Sequence, residues 1–451
     1  MLRVLFLRGL LAAAMVLLGS SLTAASSIQS AITGDYGYLK DFYIDLHRHP
    51  ELSFQENRTA DKIAAELRSL GFEVTQQVGG TGLVGVLKNG PGPTLMLRTD
   101  LDALPVKEQT GLPYASTRQT VDELGKTVDV MHACGHDIHM TVFIGTARRL
   151  VSLKDRWQGT LVLIGQPAEE RGAGARMMLE DGLFERFPRP DYNLALHVSP
   201  ELPAGTVGYT KGYAAANVDS VDITVHGIGG HGAYPHKTKD PVVLAAKIIL
   251  SLQTLVSREV PPLDPAVVTV GSVHGGTKHN IIGDRVDLQL TVRSYSDAVR
   301  QQLLEGIKRI ALAEGRAYGL PDSLLPTVTI KNEATPSLYN DPDFTGRMVA
   351  VFERTLGKNR VKEVSPTMGG EDFARYGQVE PKIPSLMFKL GSVDRSRLNQ
   401  AEESGKPLPS LHSPLYAPLP EPTIKTGVLV MTSAALELLA KRGTSHADSP
   451  E

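Results

Sequence analysis

Three apolar runs, Thr94–Leu97, Thr160–Gly165 and Asn193–Leu196, constrain the fold more than any other feature of the sequence. Each is continuous rather than alternating, which marks a strand buried on both faces, as in a parallel sheet covered by helices. The residues just beyond each run add a second constraint. The first leads into Arg98-Thr99-Asp100-Leu101-Asp102, the second into Gln166-Pro167-Ala168-Glu169-Glu170, and the third into His197. Ligands of open α/β sheets bind beyond the carboxyl ends of the strands. A Glu pair alone is usually solvated surface; placed after Pro167 at the end of a buried strand, beside Asp100 and His197, it describes a site.

Between the first two runs lies Met131-His132-Ala133-Cys134-Gly135-His136-Asp137-Ile138-His139, which holds the only cysteine of the chain. Thiolate and imidazole two positions apart suit a borderline-soft cation such as zinc. Met140 to Leu150 reads as a helix with Val142, Phe143, Ala147 and Leu150 inward. Cys134 and His136 are then expected at its N-terminus, where the macrodipole favours the thiolate. Taken alone, the stretch equally fits a buried thiol beside core histidines.

At 451 residues the chain calls for two domains. Helices are expected at Tyr38–His49 and Asn57–Leu70, then strands at Glu73–Gln77 and Leu83–Leu87. Gly80-Thr81-Gly82-Leu83-Val84-Gly85 satisfies a dinucleotide-binding pattern, but strand residues occur where a helix must open, so we reject it. From about Asp219 the pattern alternates: Val221, Ile223 and Val225, later Val286, Leu288, Leu290 and Val292. Such strands have one wet face. With helices at Val242–Val256 and Ala298–Ala313 and a strand at Ala266–Val273, they predict an inserted ferredoxin-like domain. The expected division is 26–215 and 326–441 for the first domain, 216–325 for the insertion, and a polar tail over 442–451. A strand at Ser385–Leu390 and a helix from Ile424 to Leu439 close the first domain.

Arg3 and Arg8 precede an apolar run from Gly9 to Leu18 and then small residues, which is the pattern of a secretory leader over residues 1–25. The alternative, an uncleaved anchor, needs a longer run. Export to a periplasm or beyond is the expectation, and a lone cysteine in an oxidising compartment is well explained by metal coordination. A formal net charge of −2 and 21% charged residues leave no footprint for nucleic acid. No polybasic run marks a membrane surface once the leader is removed.

His49-Pro50-Glu51-Leu52-Ser53, the Arg98–Pro105 run, His132–Asp137, Pro167–Glu170 and Gly230-His231-Gly232-Ala233-Tyr234-Pro235-His236 occur in that order. Gly369-Gly370-Glu371-Asp372-Phe373 and His412-Ser413-Pro414 complete the set. Together they resemble the aminoacylase and carboxypeptidase family of dinuclear metallohydrolases, in its branch of hippurate and auxin–amino acid conjugate hydrolases. The resemblance implies a three-layer α/β/α catalytic domain with a mostly parallel sheet, an inserted α+β lid and dimerisation domain, and a homodimer. It also implies two divalent metal ions, zinc, manganese, cobalt or nickel, held by Cys134, His136, Glu170, His197 and His412. Glu169 matches the general base and Asp100 an aspartate that orients a ligand. His231, Asn280 and Gly370 match substrate-binding positions. Gly283 stands where the family tends to have proline.

The implied reaction is hydrolysis of the amide bond of N-acyl amino acids to a carboxylic acid and a free amino acid. Metal coordination lowers the pKa of bound water from 15.7 toward about 7, and Glu169 would move its proton to the leaving nitrogen. Two other readings stay open: the same chemistry as an exported dipeptidase, carboxypeptidase or diamino-acid deacetylase, and a solute-binding protein that keeps the fold without catalysis. His132, His139 and His236 are expected to support the ligands or the substrate, or to be structural. His47 and His49 either brace the site or cap a helix.

Overall fold

The computed structural model describes residues 27–441. The expected leader and the expected polar tail lie outside the described residues. Packing divides the chain into two units: residues up to 212, 340–365 and 376 onward form the first, and 213–339 with 366–375 form the second.

The first unit opens with helix α1 over residues 27–48, longer at its start than the apolar spacing from Tyr38 predicts. Helix α2 (Asn57–Ser69) and strands β1 (Glu73–Gln76), β2 (Leu83–Asn89) and β3 (Thr94–Asp100) come next. Helix α3 (His136–Ser152), then β4 (Gly159–Gln166), β5 (Tyr192–Pro203) and β6 (Val207–Tyr209) complete the first segment. After the insertion come α4 (Pro342–Leu356), β7 (Val361–Glu363), β8 (Ser385–Val393) and α5 (Pro420–Leu438). The strands form one sheet in the order β1-β2-β4-β3-β5-β8-β6-β7.

The three continuous apolar runs are its centre. β3 lies between β4 and β5 and is parallel to both, and β5 is parallel to β8. Nearly every residue of β3 and β4 is buried, so both faces are covered. The third strand does not stop at Leu196. Pairing with β8 continues through His197–Lys389 and Val198–Leu390, which places His197 inside the strand rather than past its end. The glycine-rich stretch at Gly80 opens into β2, not a helix, consistent with rejecting a nucleotide site.

Helix α3 departs from the expected single inward stripe: His136 to Ala147 are all buried. It packs against β3 and β5 on one side and α2 and α5 on the other, and a helix enclosed this way is apolar over most of its circumference. Two glycines allow the approach of α3 and α5. A Cβ on Gly145 would lie 2.6 Å from Val428 Cγ2, and one on Gly427 would lie 2.7 Å from Val142 Cγ2.

The second unit holds a four-stranded antiparallel sheet in the order Ala266–Gly275, Arg285–Ser294, Asn217–His226, Thr327–Ile330. Helices Pro241–Thr254 and Asp297–Ala317 join its strands in the sequence β-α-β-β-α-β, the ferredoxin-like arrangement expected. Burial in Asn217–His226 alternates residue by residue, and its inward Val221, Ile223 and Val225 meet Val286, Leu288 and Leu290 in one core. The unit extends past the boundary expected at 325. Thr327–Ile330 pairs with residues 221–224, and residues 366–375 join through bonds such as Ala216 N–H to Gly369 O at 2.9 Å. A four-residue Thr-Val-Thr-Ile strand carries too short a pattern to assign to either domain.

The close approach of α3 and α5 predicts that Gly145→Leu lowers stability by about 2 kcal/mol or more through overpacking, despite better helix propensity. A urea midpoint equal to that of the unsubstituted protein would contradict the packing.

Candidate metal centre

Five expected ligands converge in the first unit. Cys134 precedes α3 and His136 is its first residue. Glu170 lies in the short turn Glu169–Arg171 after β4, His197 lies in β5, and His412 lies in the loop before α5. Their donor atoms form two triads, Cys134–His136–His197 and Cys134–Glu170–His412, each with its atoms within 4.8 Å of one another. Cys134 belongs to both. Its Sγ is 3.5 Å from His197 Nε2, while His412 Nε2 is 3.4 Å from Glu170 Oε2 and His136 Nε2 is 3.8 Å from Glu170 Oε1. His412 takes φ 66, uncommon for a non-glycine residue, and its N–H donates to Ala133 O at 2.9 Å.

Tautomers separate donors from braces. His136 Nδ1–H donates to Asp102 O at 2.8 Å and His197 Nδ1–H to Val198 O at 2.8 Å. In each ring Nε2 is left facing the cluster, as in metal-ligating histidines. Burial lowers the His136 pKa, but Asp100 and Asp102 outweigh it and lift it to about 10, so a cation would take the place of its Nε2 proton. His136 Nε2 and Glu170 Oε1 are buried without a hydrogen bond, as a donor set for a cation requires. His139 also lies near Asp100 and His136, but both its nitrogens are committed. Its Nδ1–H donates to Asp100 Oδ1 at 2.7 Å, and its Nε2 accepts the Val198 N–H at 2.9 Å. His139 is therefore a brace between β3 and β5.

The electrostatics fit divalent cations. Burial, then the charges of Glu170, Glu169 and Asp100, push the Cys134 thiol well above its usual range. That corrects the expectation from the helix macrodipole, which these nearer effects outweigh. Burial also raises Glu170 to about 7. Asp100 stays well below the usual carboxylate range: burial opposes this, but His136, His139 and Arg98 overcome it. Arg98 donates to Asp100 Oδ2 at 2.6 Å. Soft sulfur, imidazole and carboxylate together suit zinc, manganese, cobalt or nickel.

Glu169 stands beside the donors, its Oε2 3.9 Å from His136 Nε2. The supporting residues have individual roles that the sequence names without fixing. Asp102 holds the His136 ring through its carbonyl, and its carboxylate accepts Ser53 Oγ–H at 2.7 Å and Glu170 N–H at 3.0 Å. His47 braces α3: its ring is 2.6 Å from Asp137 Oδ2 and 3.1 Å from Glu108 Oε1. Burial lowers its pKa, but those two partners outweigh it and lift it to about 9. His49 is exposed, and its Nδ1–H donates to the carbonyl of Asp45 at 2.7 Å. His132 is buried with neither ring nitrogen bonded, and burial lowers its pKa to about 4.

The other expected residues belong to the second unit. His231 lies on the two-residue strand Gly230–His231, paired with Ile281–Ile282, and Gly232 N–H donates to Asn280 O at 3.0 Å. His231 and Asn280 are thus close neighbours on an exposed ladder. Gly370 abuts Val218, where a Cβ would lie 2.8 Å from Val218 Cγ2, and His236 is exposed. Gly283, where the family resemblance favours proline, has open space around it.

Comparison with known proteins agrees with this architecture. The chain is 35% identical over 374 residues to thermostable carboxypeptidase 1 of Saccharolobus solfataricus, covering 81% of this chain and 90% of that protein. It is 38% identical over 354 residues to an N-acetylcysteine deacetylase of Bacillus subtilis, covering 77% and 86%. Among solved structures it is similar to a dinuclear metal-binding peptidase from Bacillus subtilis, with a TM-score of 0.72 and 30% identity over 90% of this chain and 99% of that one. Residues 96–407 match the family model for peptidase family M20/M25/M40. By sequence and by fold, the chain belongs to that family.

Proposed function

We propose that the protein is a metal-dependent amidohydrolase that cleaves the amide bond of N-acyl amino acids, releasing a carboxylic acid and a free amino acid. The observation that carries this reading is the pair of donor triads sharing Cys134, with Glu169 beside them. The deacetylase relative supports the substrate class. The carboxypeptidase relative keeps dipeptides as a second reading.

In this reading Cys134, His136, Glu170, His197 and His412 hold two divalent cations. When bound, the cations supply Lewis acidity toward the amide carbonyl and lower the pKa of water. Glu170 binds, and Glu169 moves protons: its carboxylate takes one from the attacking water and delivers it to the leaving nitrogen. Such general acid–base work contributes roughly a hundredfold to ten-thousandfold. Asp102 holds the His136 ring and the Glu170 backbone in place, while Asp100 fixes the bracing His139 rather than a ligand ring. His231, Asn280 and Gly370 are assigned to substrate binding on the family resemblance. Export, supported by the Arg3 to Ser27 leader pattern, and assembly as a homodimer complete the proposal.

Replacing Glu169 by Gln is expected to leave folding and metal content intact while kcat for N-acyl amino acids falls by about two to four orders of magnitude. Elemental analysis beside a hydrolysis panel that includes dipeptides checks this, and unimpaired turnover would refute the role of Glu169. Metal loading is expected to release protons near pH 7, because Cys134 and Glu170 are both held protonated above their usual ranges. Titration calorimetry of zinc into metal-free protein in buffers of different ionisation enthalpy reads this directly. Equal heats in all buffers would contradict it.

A further inference from the structure

The Pro50–Glu56 run has no part in the chemistry above, yet it touches the centre at three points. Glu51 O accepts the Ala103 N–H at 2.8 Å, Ser53 Oγ–H donates to Asp102 at 2.7 Å, and Glu56 Oε1 accepts the Ala168 N–H at 2.8 Å. The run is itself anchored. The Glu51 carboxylate accepts the Arg58 and Thr59 N–H groups at the start of α2, at 3.2 and 2.8 Å.

Glu56 is the member with the most direct hold on the reacting groups. It is fully buried, its second oxygen accepts Thr81 Oγ–H at 2.6 Å, and its partner Ala168 immediately precedes Glu169 and Glu170. Ala168 sits at φ 48 and ψ 42, a left-handed conformation that an L residue rarely adopts. The turn is closed on another side by Gly174, where a Cβ would lie 1.6 Å from Pro167 O. Strained backbone persists where its surroundings over-determine it. The alternative backbone at 168 would rotate both glutamates beyond it.

We propose that Glu56 is a positioning residue: by accepting the Ala168 N–H it holds the left-handed turn that aims Glu169 at the reacting amide and Glu170 at the metal. The assignment rests on the amidohydrolase reading for its kinetic consequence, but not for its structural one. Burial, and then the charge of Asp102, raise Glu56 to about 7. Either protonation state leaves an acceptor for Ala168, and so does the amide of Gln.

The test compares Glu56→Gln, Glu56→Leu and the milder Thr81→Val as metal-loaded proteins. For Glu56→Leu assayed at saturating metal, kcat is expected to fall by roughly a hundredfold, the scale set by a misplacement of about 1 Å, with KM unchanged and metal affinity weakened through Glu170. Amide hydrogen exchange over residues 168–171 rises in the same protein. Glu56→Gln restores both readouts, and Thr81→Val shifts both in the same direction by less, which also serves if Glu56→Leu fails to fold. Wild-type exchange over 168–171 in the Leu and Val variants overturns the proposal. So does a loss of turnover that only tracks metal content or folded fraction, or a Gln variant as impaired as Leu. If the metal-loaded wild type hydrolyses no N-acyl amino acid, the amidohydrolase reading fails while the exchange comparison still decides the role of Glu56.

Discussion

Cys134, Glu170, Asp100 and Asp102 are buried or nearly so around one point, and the rest of the first unit is arranged to make that tolerable. Removing acidic groups from water costs several kcal/mol per ion unless positive charge or hydrogen bonds meet them. Part of that compensation is internal. Arg98 reaches Asp100, His136 leans on Asp102, and Ser53 and the Glu170 N–H cover the Asp102 carboxylate. The rest is met by the His136 ring, which its acidic neighbours lift to about 10, and by protons on Cys134 and Glu170, both raised above their usual ranges. Proton and metal therefore compete for the same donors.

Precision in such a centre comes from backbone more than from side chains. β3 and β4 end together, delivering Asp100 and the Glu169–Glu170 turn to one rim, and β5 carries His197 alongside. Two of the imidazoles are locked by carbonyl oxygens, of Asp102 and Val198, which sequence variation does not remove. Helix α3 is held in place by burial on every side and by His47 against Asp137, so the Cys134–His136 hook at its start has little freedom. Ala168 and His412, both non-glycine residues with positive φ, each border or supply a donor, the pattern expected where local strain serves a site.

Much of this is legible in the sequence because the relevant signals are local. Continuous apolar runs leading into Asp100, Glu169-Glu170 and His197 specify both the buried parallel strands and the rim, and alternation at Val221–Val225 specifies the second sheet. The hidden part depends on contacts distant in sequence. Nothing local reveals that Glu56 meets Ala168 over a separation of 112 residues, or that His47 meets Asp137 over 90. Asp102 is visible in the sequence as part of a run, but its role emerges only from the His136 ring it faces. At the metal-free Cys134, burial and then the charges of Glu170, Glu169 and Asp100 outweigh the helix macrodipole that the local sequence does reveal.

Cys134 is shared by both donor triads, so its sulfur should enter the coordination of bound metal. X-ray absorption at the zinc edge of the loaded protein reads this most directly. A sulfur scatterer is expected at about 2.3 Å in the first coordination shell, alongside nitrogen and oxygen at about 2.0–2.2 Å. A shell of nitrogen and oxygen alone, with the thiol still titratable in the loaded protein, would contradict a centre built around this cysteine.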